Sequence, residues 1–217
     1  DVEKYSGGLK DKDGLDVVSG KIEKMSKSKK NVVDPNDIIE TYGADTARWF
    51  MLSDSPPDRD LQWTETGIVS SYKLINKLWS FVDRYNNYLL KKDIDTNVEL
   101  IAKLKKIINS VSKNIEDFQF NKSIAKIYEF VNLLNNSVSD KAISKSDFEW
   151  SLKKLSLILQ PFLPHISEEI WHNINGDGLC INADWPVENI SQENTKVKIA
   201  VQINGKTRDV ISVNKDV

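Results

Sequence analysis

Apolar residues recur at intervals of three and four through the middle of the chain, the spacing of helices with one buried face. A long helix is predicted over about 65–91, capped by Thr64, with Ile68, Tyr72, Ile75, Trp79, Val82 and Leu89 turned inward. Asn97 opens a second over about 98–118, with Leu100, Leu104, Ile107, Val111, Ile115 and Phe118 inward. Asn121 opens a third over about 122–138, burying Ile124, Ile127, Val131, Leu134 and Val138. Ser146 opens a fourth over about 147–160, burying Phe148, Leu152, Leu155 and Leu159. Pro161 stops it, and Pro164 starts a shorter helix over about 164–174 that Gly176 and Gly178 end. Short connections favour antiparallel neighbours, so the expected fold is mainly α, an antiparallel helical bundle.

The two ends of the chain differ from this middle. Residues 1–20 hold four of the nine glycines, and Lys12-Asp13-Gly14 marks a tight turn between short extended pieces, a small loop and hairpin region. Asp34 and Pro35 start a short helix that Gly43 ends, and a second follows over about 44–53. On it, Asp45 and Arg48 are three apart and able to pair; Arg48 either holds this segment against the catalytic domain or makes an exposed ion pair. Trp185-Pro186 lies in a linker expected to cross back over the bundle. From Val197 the period becomes two, and Asn204-Gly205 predicts a C-terminal β-hairpin returning through Val210, Ile211 and Val213.

Composition narrows the function classes. At 217 residues with 40 % hydrophobic residues and six tryptophans, the chain has ample material for a core and is not a disordered segment. No apolar run approaches the roughly 20 residues of a membrane span. The single cysteine, Cys180, excludes an internal disulfide and suits a reducing cytoplasm. His165 and His172 are seven apart, without the four-residue spacing or third ligand of a zinc site, so no metal is expected. The net charge of −2 leaves nucleic-acid contact only to local basic faces.

Against that balance, residues 21–30 are strongly basic. Lys21, Lys24, Lys27, Lys29 and Lys30 face only Glu23, and Met25 is the one apolar residue from Lys24 to Asn31. By composition such a run is a solvated loop. By chemistry, two ammonium groups three apart with hydroxyls beside them suit a polyphosphate whose charge grows during reaction.

The order Lys24-Met25-Ser26-Lys27-Ser28 resembles the signature loop of class I aminoacyl-tRNA synthetases. Asn31-Val32-Val33-Asp34-Pro35 and Tyr42-Gly43-Ala44-Asp45-Thr46-Ala47-Arg48 continue that pattern. The passage from Ser53 through Pro56-Pro57, Trp63 and Gly67 to Ile68, with Asn204-Gly205-Lys206-Thr207-Arg208, is similar to the leucine-specific branch. Valine- and isoleucine-specific relatives, or a helical tRNA-binding or scaffold module without catalysis, are the alternatives.

The resemblance implies ATP-dependent formation of leucyl-adenylate and transfer of leucine to its tRNA. Leucine, ATP with its Mg2+, and leucine tRNA are then the expected partners, with no DNA and no membrane, for a cytoplasmic monomer. Residues 1–33 become the tail of a catalytic domain carrying the loop, and 34–63 a stem-contact segment. Residues 64–178 are the helical anticodon-binding bundle, 179–195 a linker, and 196–217 the start of a C-terminal tRNA-binding domain. Lys24, Met25, Ser26, Lys27 and Ser28 would meet ATP phosphates, Lys27 foremost, with Lys24 assisting as a second catalytic cation. Lys30 stands where many relatives carry glycine or asparagine, and would strain the turn if a positive φ is needed there. Lys73, Lys77, Arg84 and Lys91 fall within about 40° of one another on the first long helix, either a solvated face or a row of tRNA phosphate contacts. The chain opens without an initiator Met, so it is expected to be a piece of a longer protein, inactive alone because a second, histidine-containing ATP signature lies upstream.

Overall fold

The computed structural model describes residues 2–5, 8–11, 13–18, 21–88, 95–189, 196–203 and 206–214, and among these seven α-helices lie between two small antiparallel sheets along the chain. Strands β1 (Val2–Tyr5), β2 (Gly8–Asp11) and β3 (Asp16–Val17) pair in that order. The β2–β3 turn is shaped by Asp11, whose Oδ1 accepts from the N–H groups of Asp13 at 3.0 Å and Leu15 at 2.9 Å, while Gly14 takes φ +81°. At the other end, β4 (Lys196–Ile203) and β5 (Lys206–Asn214) pair Val197 with Val213 and Ile199 with Ile211, with a bulge at Val201/Gln202. The Asn204-Gly205 turn itself lies outside the described residues.

Helices α1 (Pro35–Tyr42) and α2 (Ala44–Ser53) meet at Gly43, at φ +87°. Asp34 caps α1 through Asn36 N–H at 2.9 Å, as the sequence predicts. The bundle follows: α3 (Glu65–Tyr88), α4 (Val98–Glu116), α5 (Phe120–Ser139), α6 (Lys145–Leu159) and α7 (Pro164–Asn173). Thr64 Oγ1 accepts from Gly67 N–H at 3.2 Å. Gly67 is required there, because a Cβ would overlap the Phe50 ring and the Thr64 side chain. Asn97 caps α4 through Leu100 N–H and donates its own N–H to Asp147 in the first turn of α6, both at 3.0 Å. The N-termini of α4 and α6 therefore sit together and α5 runs the opposite way between them. Helix α3 is parallel to α5, since Lys77 reaches Asn132 and Arg84 reaches Asn135 and Ser139. The up-down arrangement is the expected one.

The stripes of α5 and α6 lie inward as predicted: Ile127, Val131, Leu134, Phe148, Leu152, Leu155 and Leu159 are all fully buried. Two expectations need correction. Helix α3 is rolled by about 80° from the predicted face: Leu74, Leu78, Phe81 and Tyr85 join Ile68 and Val82 in the core, while Tyr72 and Trp79 are 38 % and 42 % exposed. This helix carries apolar groups on two faces, and only its neighbours select one. The amphipathic rings take the outer face, where Tyr72 meets the edge of Tyr42. Helix α4 stops before Phe118, which is 71 % exposed at φ +55°. There Phe118 N–H donates to Ile115 C=O and Gln119 N–H to Asn114 C=O, a Schellman end. Lys141 and Asn175, both at φ +55°, close α5 and α7 in the same way. None of the three is glycine, the residue that marks such an end in a sequence. Two starts also shift: Gln119, not Asn121, precedes α5, and Ser144, not Ser146, caps α6 through Asp147 N–H.

The linker crosses the bundle as expected. Trp185 Nε1 donates to Ser112 Oγ at 2.8 Å, and Asn109 exchanges hydrogen bonds with the Glu188 backbone. The buried Glu188 carboxylate takes Lys154 at 2.7 Å and Lys105 at 3.5 Å. Between α3 and α6, Tyr85 donates to Glu149 at 3.0 Å; burial and that carboxylate push the phenol up to about 12. Among the described residues no helix is long and apolar enough to cross a membrane.

The rolled face of α3 has a direct consequence for stability. Leu78→Ala is expected to cost about 2–5 kcal/mol in urea unfolding, and Tyr72→Ala under about 1 kcal/mol. The reverse order would restore the face read from periodicity.

Candidate functional site

The basic run folds into a single 3-10 turn, Lys27–Lys29. Ser26 precedes it in an extended conformation and Lys30 follows it at φ +52°, ψ +31°. The left-handed position that would suit glycine is therefore real, and a lysine occupies it. Lys29 N–H donates to Ser26 C=O at 3.1 Å and Lys30 N–H to Lys27 C=O at 3.2 Å, so the turn is closed by its own backbone. Ser26 Oγ and Ser28 Oγ lie 3.2 Å apart.

Side chains divide the lysines into two groups. Lys29 Nζ is 2.6 Å from Glu23 Oε2, a surface pair that removes one cation from the run. Lys21, Lys24, Lys27 and Lys30 are exposed, and among the described residues none of them has a carboxylate partner. Of these, Lys24 and Lys27, with the Ser26 and Ser28 hydroxyls between and after them, can bind a multiply charged phosphate group and offset charge that develops on it. Two further residues shape the loop and went unassigned in the sequence reading. Glu23 selects which lysine is quenched. Asn31 accepts from Ser26 N–H at 2.8 Å and donates towards Lys24 C=O at 3.4 Å. The only signal for the latter was the habit of asparagine side chains of bonding to nearby backbone.

The second predicted set is partly assembled. Lys73 is exposed on α3. Lys77 Nζ donates to Asn132 Oδ1 at 2.9 Å, and Arg84 donates to Asn135 Oδ1 at 2.9 Å and Ser139 Oγ at 3.1 Å. The rolled α3 face explains this, because it brings both cations to the edge of α5. Their partners are neutral, so the seam keeps its positive charge while its side chains are held. Lys91 lies outside the described residues.

Other candidate chemistry is structural. Asp45 is buried, pairs with Arg48 at 2.7 Å, and accepts from Ile166 N–H at 2.9 Å. It caps α7 from a distant part of the chain, and His165 Nδ1 stands 3.4 Å from its other oxygen. Arg48 makes the predicted ion pair, half exposed, and the carboxylate it pairs with faces α7 of the bundle. Glu168 accepts from the N–H groups of Cys180 at 2.8 Å and Ile181 at 2.9 Å, anchoring the 3-10 turn Cys180–Asn182 on α7. Burial, with Glu168 nearby, pushes the Cys180 thiol up to about 12, which leaves it inert at neutral pH. Among the described residues no three His, Cys, Asp or Glu side chains cluster as a metal site.

Comparison with known proteins agrees on one family. Residues 97–217 match the anticodon-binding domain of tRNA ligase, and residues 14–64 match the class I tRNA synthetases (I, L, M and V). Leucine–tRNA ligase of Rhizorhabdus wittichii is 41 % identical over 98 % of this chain, and that of Jannaschia sp. is 40 % identical over all of it. The chain spans about a quarter of the length of these curated relatives, 24 % and 25 % respectively. A ternary LeuRS–tRNA–LeuAMS complex from Agrobacterium radiobacter K84 superposes with a TM-score of 0.71 at 28 % identity, covering 89 % of this chain and 26 % of that one. A methionyl-tRNA synthetase from Mycobacterium tuberculosis shares the fold, with a TM-score of 0.57 at 20 % identity over 67 % of this chain and 34 % of that one.

The left-handed residue of the loop gives a local test. Lys30→Gly is expected to keep or slow amide exchange across Lys27–Asn31. Lys30→Val is expected to speed it by about tenfold, the equivalent of the strain a side chain meets at positive φ. Equal exchange in both variants would remove the left-handed turn.

Proposed function

We propose, from the premise that this chain belongs to the leucine–tRNA ligase family of class I tRNA synthetases, that the protein carrying it joins leucine to its tRNA using ATP. The observation that carries the site reading is the placement of two unneutralised cations, Lys24 before and Lys27 at the start of a turn closed by its own backbone, with the Ser26 and Ser28 hydroxyls beside them. In the first step the leucine carboxylate attacks the α-phosphorus of ATP, and pyrophosphate leaves. Negative charge grows on the departing oxygens, and Lys27 offsets it, with Lys24 assisting from the loop's entrance. Met25 and the 3-10 turn that follows it present backbone and the Ser26 and Ser28 hydroxyls to the same phosphates. Mg2+ arrives with the nucleotide. In the second step a hydroxyl of the terminal ribose of leucine tRNA attacks the carbonyl carbon of leucyl-adenylate, the new ester bond forms, and AMP leaves.

The remaining segments serve the tRNA. Residues 1–33 end the catalytic domain, 34–63 are the stem-contact segment of short helices, 64–178 the anticodon-binding bundle, 179–195 a linker and 196–217 the start of a C-terminal tRNA-binding domain. The α3–α5 seam is a positively charged strip in which neutral partners on α5 hold Lys77 and Arg84 while Lys73 is exposed beside them, which suits phosphodiester contact without base readout. A second reading makes the seam purely a brace between α3 and α5, and the hydrogen bonds of Lys77 and Arg84 favour it. The protein acts as a cytoplasmic monomer in this reading.

The intact protein is expected to exchange pyrophosphate into ATP with leucine, and Lys27→Ala to slow that exchange by about 10²–10³-fold. Equal support from isoleucine or valine would move the assignment to a sibling ligase, and full exchange without Lys27 would detach the loop from ATP. For the seam, Lys73→Ala and Lys77→Ala are each expected to lower the slope of log affinity for leucine tRNA against log salt by about one. An unchanged slope in both variants would leave only the brace.

A further inference from the structure

The basic loop is an eight-residue excursion from Lys24 to Asn31, and one side chain closes it. Asn31 Oδ1 accepts from Ser26 N–H at 2.8 Å, and its Nδ2 donates towards Lys24 C=O at 3.4 Å. Both groups flank Met25, so a single carboxamide fixes the peptide planes on either side of the loop's entrance. Ser26 heads the 3-10 turn, and the clamp therefore also sets the direction in which Lys27 leaves it. The left-handed step at Lys30 turns the chain back, which lets the Asn31 side chain reach five and seven residues upstream. A second brace, Glu23 to Lys29 at 2.6 Å, fastens the outer side of the same loop.

We infer that Asn31 is a positioning residue, a neutral latch that preorganises Lys24 and Lys27 for a nucleotide's phosphates. The inference rests on the proposed ATP-binding role of the loop. Neutrality matters, because a carboxylate at this position could accept from Ser26 N–H equally well yet would place a negative charge beside the two ammonium groups. An amide supplies the acceptor and a donor and leaves the cations unquenched. Asn31 touches no phosphate in this account; it acts through the two lysines.

Two measurements separate the latch from its purpose. In the 217-residue chain, Asn31→Ala is expected to speed exchange of the Ser26 amide by about tenfold at low pH, read by NMR, whereas Asn31→Asp keeps its protection. In the intact enzyme, Asn31→Ala is expected to lower kcat of leucine-dependent ATP–pyrophosphate exchange by about tenfold with KM for leucine unchanged. Asn31→Asp is expected to lower it as well, despite its protected Ser26 amide. Unaltered Ser26 exchange in Asn31→Ala would overturn the latch. A freed Ser26 amide with undiminished kcat, in an enzyme that Lys27→Ala still cripples, would overturn the positioning role and leave the proposed function standing. Undiminished exchange in Lys27→Ala would remove the ATP reading, and the positioning role with it.

Discussion

One buried carboxylate joins the segment that follows the basic loop to the bundle. Asp45 lies on α2, yet it supplies the cap that α7 lacks locally: Leu163 precedes that helix without a capping side chain, and Pro164 fills its first position. A carboxylate there meets both an unsatisfied N–H and the positive end of the helix dipole. Arg48 holds it from the solvent side. Stranding a buried charge by removing its partner costs about 3–5 kcal/mol in closed sites, less here because Arg48 is half exposed. Fully buried Trp49, one turn further on, donates to Tyr128 of α5 at 3.1 Å and packs edge-on to Phe162. Polar cap and aromatic wedge together fix the exit direction of the chain after the loop.

The bundle is organised by its ends as much as by its stripes. Asn97, Ala142 and Asp147 tie the starts of α4 and α6 together, and three Schellman ends let short connections reverse the chain. Glu188 then closes the linker over α4 and α6, its carboxylate taking two lysines and its backbone exchanging bonds with Asn109. A buried carboxylate with an ammonium group on each oxygen is satisfied, so the crossing is held in one register.

At the loop, the physical content lies in which charges are left free. Five lysines would repel one another and bind anions without geometry. Glu23 neutralises Lys29, and the Asn31 clamp orders the stretch that carries Lys24 and Lys27. Of the four lysines left without a carboxylate among the described residues, Lys24 and Lys27 sit on the stretch that the clamp and the 3-10 turn order, the arrangement that favours charge developing at one place over charge in general.

Much of this was legible in the chain itself. Helix number and type, the inward faces of α5 and α6, the Asp34 and Asn97 caps, the β-hairpin and the basic signature all follow from local pattern, because each depends on residues within a few positions of one another. The face of α3 did not, since Tyr72–Trp79 and Leu74–Leu78–Phe81 are two competing stripes and burial is decided by what packs against them. Nor did the helix ends at Phe118, Lys141 and Asn175, where local Schellman hydrogen bonds close the helix on a non-glycine residue at positive φ and the usual glycine marker is missing. The Asp45 cap on α7 and the engagement of Lys77 and Arg84 with α5 join residues 121, 55 and 51 positions apart, and no local pattern encodes such pairings. Sequence alone determined which chemistry the chain carries and which elements bear it. Tertiary structure decided which cations stay free and which are spent on packing, because charge is neutralised through space and not along the chain.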